Sequence, residues 1–288
     1  MAFRELARAP PLKELNLSIH SPGLRPNKFD LVRFQQEGYL HVQDWVNGSE
    51  LAKIQEAAQA VHASLAPPLE LEAQLGYPGA PERVEAEGGD TPRRLLRAYG
   101  RVPCWDAHAT SADMLRYLQA LLQHDQVFLS QAHHNCLMTK TPRFSSDTGW
   151  HRDSRYWQFE KNELVTAWLA LGEEFYRNGS LKVIPGSHRL HLRPEQFDEN
   201  SFFNAETLEN QAVLQGAISL ELAPGDLLFF HCDLLHAATR NHTDTNKLSL
   251  VFTYFGGDNA PRPDTRSSSI DAVALHTQAE QKVPTPNS

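Results

Sequence analysis

APGDLLFFHCDLLHAATRNHTDTNKLSLVFTYF, residues 223–255, decides the fold. Pro224-Gly225-Asp226 makes a turn, a run of Leu and Phe follows, RNHTDTN turns again, and KLSLVFTYF returns. Short runs of leucine, aromatic and β-branched residues, punctuated by Gly, Pro and Asn, read as strands. If the return is a hairpin centred between Asn241 and His242, His236 lies opposite Lys247. Directly opposed residues share a face.

The same grammar extends upstream. QVFLSQAHHNCLMTK, LVTAWLALG, SLKVIPGS and AISLELAPGDLLFFH are further strand segments. LVTAWLALG alone also fits a helix, and its neighbours favour strand. Residues 191–213 interrupt the series as a polar, partly helical insertion. The N-terminal half reads differently. FDLVRFQQEGYLHV is a helix, a break at Gly38 and a strand. NGSELAKIQEAAQAVHASL, capped at Ser49, has apolar residues at helical spacing, and a further helix is predicted from Ser111 to Leu122. Residues 66–93, rich in Pro, Gly and Glu, form a long loop. Residues 1–28 read as an arm, and 258–288 as a tail poor in apolar residues and only partly ordered. The expectation is one domain over 29–257, mainly β with flanking helices: a double-sheet jelly roll.

Bulk properties exclude some functions. A net charge of −8 over 288 residues argues against a nucleic-acid partner. No apolar run reaches the length of a membrane span, and the first twenty residues carry charges and prolines where a signal peptide needs an apolar centre. Three scattered cysteines, Cys104, Cys136 and Cys232, fit neither a disulfide framework nor a zinc spacing. The expected location is a reducing cytoplasm, with any membrane contact peripheral, at the inner face.

TGWHRDSRYWQF, residues 148–159, raises the question of chemistry. On a strand His151 and Asp153 project to one side. They form either half of a metal site or a polar turn beside a core strand. A 2-His-1-carboxylate facial triad needs one more ligand, and His231 and His236 compete for that place. The hairpin register favours His236: a metal ligand beside the fixed cation Lys247 suits an anionic chelating co-substrate. His231 has no such partner and is expected at a strand end. Arg155 shares parity with the pair if the strand continues; a looser turn breaks that parity. Arg93, Arg94, Arg97 and Arg101 follow the acidic loop. They either recognise an anion or neutralise that loop's glutamates. Trp168 walls a pocket or packs in the core. At most one of His133 and His134 faces inward, and His188 reads as turn chemistry. Trp150, Tyr156 and Trp157 are either lining for a pocket mouth or ordinary strand residues.

Five stretches, in order, resemble the phytanoyl-CoA dioxygenase family of iron(II)- and 2-oxoglutarate-dependent oxygenases. They are FQQEGYLHVQDWVNGSEL, TKTP at 139–142, WHRD, NGSLKVIPGSH at 178–188 and PGDLLFFHCDLLHAATRNHT. The resemblance covers residues 29–255. It implies a double-stranded β-helix, His151, Asp153 and His236 as iron ligands, and 2-oxoglutarate and O2 as co-substrates of a hydroxylation. A carboxylate at 153 argues against the halogenase variant, where a small residue makes room for chloride. In the family the far carboxylate of 2-oxoglutarate meets an arginine eleven residues after the distal histidine. Here that position is Lys247, which keeps the charge and loses the bidentate fork. Thr243 is a supporting hydroxyl, Lys140 of the TKTP stretch a second candidate cation, and Arg240 a third.

The WHRDSRYW context resembles the branch acting on the sugar acid Kdo of lipopolysaccharide, which implies a lipid-linked sugar as substrate. Acyl-CoA thioesters and small carboxylic acids are the alternatives. With Arg155, Arg94 and Arg97 as contacts, the expected substrate is anionic. The rival classes are a metal enzyme independent of 2-oxoglutarate and a non-catalytic ligand-binding barrel.

Overall fold

A computed structural model describes residues 17–19, 23 and 25–276. Strand β1 (Leu17–Ile19) pairs parallel with β2 (Tyr39–Gln43), so part of the expected arm belongs to the sheet. Between them runs helix α1 (Lys28–Glu37). Asn27 caps its start by accepting from the backbone N–H groups of Phe29 and Asp30. Gly38 ends it with a left-handed φ of 82°, which a residue with a Cβ adopts only under strain. Helix α2 (Gly48–Ser64) begins at Asn47 rather than Ser49, and no side-chain hydrogen bond caps it.

The 66–93 segment is more structured than its composition suggests. It contains β3 (Leu69–Leu71) and α3 (Glu72–Leu75), and β3 pairs with β4 (Pro92–Leu96). Glu72 buries its carboxylate against Arg93 and Ser146, which ties the segment down. Helices α4 (Pro103–Ala109) and α5 (Ala112–Leu122) follow; Ser111 caps the latter by accepting from the Met114 amide.

The later strands build two sheets. They are β5 (Val127–Ser130), β6 (Cys136–Lys140), β7 (Thr148–His151), β8 (Leu164–Ala170) and β9 (Leu181–Val183). After α6 (Leu208–Leu214), which closes the 191–213 insertion, come β10 (Ile218–Ser219), β11 (Leu227–His231), β12 (His236–Ala238), β13 (Lys247–Gly256) and β14 (Val273–Ala274). The large sheet runs β1-β2-β11-β8-β13-β6-β4-β3, with β5 also on β13 and β14 on β5. The small sheet runs β10-β9-β12-β7.

Strand periodicity explains the layering. In β8, β11 and β13, alternate residues (Val165, Ala167, Leu169, Leu227, Phe229, Leu250, Phe252, Tyr254) join Trp105, Met114 and Leu118 of the helices in one core. The other set (Trp168, Leu228, Phe230, Val251) meets Leu181, Val183 and Ala238 of the small sheet in a second core. A sheet buried on both faces gives near-continuous apolar runs, which is why LVTAWLALG also fitted a helix.

The expected 236–247 hairpin is not formed. β12 lies between β7 and β9 in the small sheet, whereas β13 lies in the large one. The turn crosses from sheet to sheet. Asn241 anchors it by donating to the carbonyls of Lys140 and Thr245, and Arg240 grips Asp147. His236 is opposite His151, and Lys247 is opposite Lys140. The tail, expected to be only partly ordered, is described to residue 276. Its described part folds back: β14 pairs with β5, and Ser267 bonds to His133 and to the Gln158 amide. Residues 277–288 lie outside the described ones, as does most of the 1–28 arm.

Candidate metal centre and adjoining cavities

His151 ends β7, and Asp153 begins a 3-10 turn (Asp153–Tyr156). The pair therefore does not sit on one continuous strand. The turn brings the carboxylate round to the imidazoles instead. Asp153 Oδ1 lies 3.9 Å from His151 Nε2 and 3.6 Å from His236 Nε2. One donor atom from each of the three buried residues falls within 4.8 Å of the others, close enough to hold a metal ion. Each imidazole is fixed from behind. His151 Nδ1 lies 2.8 Å from the Gly149 carbonyl, and His236 Nδ1 lies 2.9 Å from the Leu234 carbonyl. A carbonyl only accepts, so each Nδ1 carries the proton, and in the neutral ring Nε2 offers its lone pair. Burial, reinforced by neighbouring His236, pushes the His151 pKa well below the usual value.

Asp153 supplies the test of fit. Its Oδ1 is buried and has no hydrogen-bond partner. A buried carboxylate oxygen without a donor is costly, and such groups call for an explanation. The donor set, two imidazole nitrogens and one carboxylate oxygen, suits a non-haem iron(II) ion with open coordination positions.

His231 lies outside this cluster, with its Nδ1 accepting from the Asp233 amide and its ring against His188. His231, Cys232 and Asp233 also place donor atoms within 4.8 Å. Burial holds the Cys232 thiol far above its ordinary pKa, and thus protonated, which makes it a poor ligand.

The triad opens on a cavity of about 50 Å³ lined by Arg93, Lys140, Thr148, Trp168 and Lys247, among others. Thus Lys247 reaches the cavity that His236 faces, from the other sheet. Its ammonium lies 3.1 Å from Glu174 Oε2 and 4.9 Å from the centre of the Trp168 ring. Lys140 is buried beside it and donates to the Ser146 carbonyl. Burial, with help from nearby Arg93, lowers the Lys140 pKa to about 7. Thr243 does not line this cavity: its hydroxyl closes the 240–246 turn on Asn241 Oδ1. Arg240 is held by Asp147 outside it.

A second cavity of about 290 Å³ adjoins the first and shares Arg94, His134 and Tyr156 with it. Arg97 and Arg266 are exposed on its wall. Arg94 pairs with Glu70 at 3.3 Å. Burial opposes the charge on Arg94, but Glu70 together with Cys136, Tyr156 and Tyr77 raises the pKa. His134 points to the triad, with Nε2 3.7 Å from Asp153 Oδ1, while His133 turns to Ser267. Arg155 is a correction. The 3-10 turn breaks its parity with His151, and it stacks 3.8 Å over the centre of the Phe202 ring, lining neither cavity.

Phe202, from the second insertion, also touches Tyr77 from the 66–93 segment and the His151 ring. The two insertions thus meet beside the triad. Tyr77, Phe202, Glu72 and Glu174 are contacts that no local motif disclosed.

Comparison with known proteins agrees with this arrangement. The family profile described as phytanoyl-CoA dioxygenase matches residues 34–248. The chain belongs to the phytanoyl-CoA dioxygenase family. Membership places it among non-haem iron(II)- and 2-oxoglutarate-dependent oxygenases. Ectoine dioxygenase of Sphingopyxis alaskensis is 26% identical over 241 residues, covering 77% of this chain and 73% of that protein. The mouse peroxisomal phytanoyl-CoA dioxygenase is 26% identical over 186 residues, covering 59% and 54%. The chain thus spans about half the length of that relative. Among solved structures, EctD from S. alaskensis with 2-oxoglutarate and 5-hydroxyectoine gives a TM-score of 0.72 at 21% identity, covering 90% of this chain and 89% of that one. SnoN, a non-haem alpha-ketoglutarate-dependent epimerase from nogalamycin biosynthesis, gives 0.65 at 21%, covering 81% and 84%. These likenesses establish the jelly-roll fold. Among the described residues no helix is long and apolar enough to cross a membrane.

Proposed function

We propose that this protein hydroxylates an unactivated C–H bond of a small anionic substrate, with iron(II) held by His151, Asp153 and His236 and with 2-oxoglutarate and O2 as co-substrates. The observation that carries the reading is the buried, donorless Oδ1 of Asp153 facing two imidazoles whose Nδ1 atoms are already committed. When bound, the iron and 2-oxoglutarate supply the oxidation of the C–H bond.

The chain's own residues do the rest. The carbonyls of Gly149 and Leu234 orient the imidazoles. Lys140 and Lys247 are the cations available to the far carboxylate of the co-substrate, and Trp168 walls the same cavity. Phe202, packed against the His151 ring, shields one side of the triad from water.

The substrate's place is the second cavity. Arg94, Arg97 and Arg266 face a single carboxylate there, Glu70, which leaves two positive charges in excess. That excess favours a carboxylate or phosphate. The volume of about 290 Å³ suits a small molecule. A bulky conjugate such as an acyl-CoA would leave its nucleotide outside. A sugar acid such as Kdo belongs to the same anionic class.

The test is to supply anaerobic protein with iron(II) and 2-oxoglutarate, admit O2, and count succinate formed per O2 consumed. One succinate per O2 is expected. O2 uptake without succinate defeats the reading in favour of an oxidase independent of 2-oxoglutarate. Neither uptake nor iron binding would leave a ligand-binding barrel.

A further inference from the structure

The carboxylate of Glu174 touches no metal ligand, yet it lies directly behind the cavity wall. Its side chain is fully buried and accepts from Trp168 Nε1 at 3.0 Å, Ser249 Oγ at 2.5 Å and Lys247 Nζ at 3.1 Å. Trp168 and Lys247 line the cavity; Glu174 does not. The lysine therefore presents its ammonium to the cavity while its charge is balanced inside the wall. Of its three N–H bonds, one goes to Glu174 and one to Ser249 Oγ at 3.1 Å. One is left to point elsewhere.

The other cations divide in the same way. Arg93 is balanced by Glu72 at 3.1 Å. Lys140, directly across the strand pair from Lys247, has no ion-pair partner among the described residues, and burial lowers its pKa to about 7. A cavity with four cations, the fourth being Arg94 paired with Glu70, thus holds one uncompensated charge, on a group that gives up its proton near neutrality.

This bears on selectivity. A site rejects an analogue lacking a polar group chiefly because the site's own buried groups are left unpaired. Glu174 keeps Lys247 paired whether or not a carboxylate arrives. Taking the 2-oxo acid co-substrate proposed above as given, we infer that Glu174 is a specificity-determining residue for it. By satisfying Lys247 from behind, it removes most of the penalty for a tail without a carboxylate, so the protein also accepts 2-oxo acids with uncharged tails.

The probes are 2-oxoglutarate and 2-oxovalerate, which ends in a methyl where the former has its far carboxylate. Calorimetry on manganese-loaded protein reads both affinities without turnover. In the wild type the two are expected to lie within about tenfold of each other. Glu174→Gln places an amide N–H₂ against Lys247 or removes an acceptor from Trp168 and Ser249. Either way no carboxylate neutralises the ammonium from behind. The preference for 2-oxoglutarate should rise by about tenfold or more, through tighter 2-oxoglutarate binding. The double variant Glu174→Gln/Lys247→Met, which removes both charges, should return the ratio to within about threefold of the wild type.

A wild-type preference beyond about a hundredfold overturns the inference, and so does a Glu174→Gln ratio equal to the wild type's. If Glu174→Gln does not fold, the wild-type ratio alone decides. Failure of the metal-loaded protein to bind either acid overturns the co-substrate assignment itself, and this inference with it.

Discussion

Asp153 and Glu174 are both buried carboxylates beside one cavity, and the chain treats them in opposite ways. Asp153 Oδ1 has no hydrogen-bond partner, and the groups nearest to it are imidazole nitrogens 3.6–3.9 Å away. Glu174 has three donors, one of them a cation. Burial alone therefore does not mark a functional acid. What separates them is the balance of donors: Glu174 is satisfied by the fold, whereas Asp153, with Thr166 on Oδ2 alone, leaves Oδ1 for a partner from outside the chain. Removing the first should cost stability, and removing the second should cost chemistry.

The largest effect expected is on Asp153. Asp153→Ala, like His151→Ala and His236→Ala, should eliminate turnover and the rise in melting temperature that iron(II) or manganese(II) gives the wild type. The metal-free melting temperature of Asp153→Ala should equal or exceed the wild type's, because an unsatisfied buried charge is gone. Circular dichroism melts with and without metal check this, and an unchanged metal-induced rise would break the contrast. His231→Ala should keep metal binding and most of its activity.

Glu174→Ala should behave in reverse. It leaves Lys247 buried without its counter-charge, and breaking such a pair costs about 3–5 kcal/mol. Urea denaturation should show this as a lower midpoint in metal-free protein, with metal affinity retained. A midpoint equal to the wild type's would mean that the two carboxylates are not opposites.

Lys140→Ala is next in size. Loss of one charge-assisted bond, about 1.5 kcal/mol at the lower end of the usual range, should weaken 2-oxoglutarate binding by up to about tenfold. Proton linkage sharpens this. Lys140 holds a proton below its lowered pKa of about 7 and releases it above. The protonated form pairs with a carboxylate, so affinity should fall as pH rises past 7, with proton uptake on binding. Calorimetry in buffers of different ionisation enthalpy would detect that uptake, which Lys140→Ala should abolish. The same shift has the opposite sign for folding. The unfolded chain holds the lysine proton up to its ordinary pKa, so this group's contribution to stability improves between about pH 7 and 10.

The smallest effect belongs to Arg155. It stacks on Phe202 and Tyr156 outside both cavities, and such contacts are worth about 0.5–1 kcal/mol at exposed sites. Arg155→Ala should leave KM for the prime substrate within about threefold of the wild type. Arg94→Ala should raise it more, and steady-state kinetics in a salt series separates the two.

These residues also show what a sequence discloses. His151 and Asp153 were legible because they are two apart, and the strands because Gly, Pro and Asn punctuate short runs of leucine, aromatic and β-branched residues. The hairpin was not legible. Parity set His236 and Lys247 on one side, and they do share a cavity, but by a crossing between sheets that side-chain and backbone bonds of Asn241 and Arg240 create. Parity failed for Arg155 because a 3-10 turn has no period of two. Glu72, Tyr77, Glu174 and Phe202 were hidden for another reason: most of their partners are distant in the chain, as Glu72–Arg93, Glu174–Lys247 and Tyr77–Phe202 show, and no local pattern records such pairings.

The segment after β13 has a wider consequence. The family match ends at residue 248, yet Arg266, Ser269 and Ile270 fold back to wall the second cavity. One part of the wall of the proposed substrate cavity is thus supplied from outside the family match and apart from the segments that carry His151, Asp153 and His236. A relative could change its diet by rewriting one strap of residues, with its catalytic hardware untouched. In a chimera carrying another member's 258–276 region, substrate choice should travel with the strap, and the oxidation should stay with the barrel.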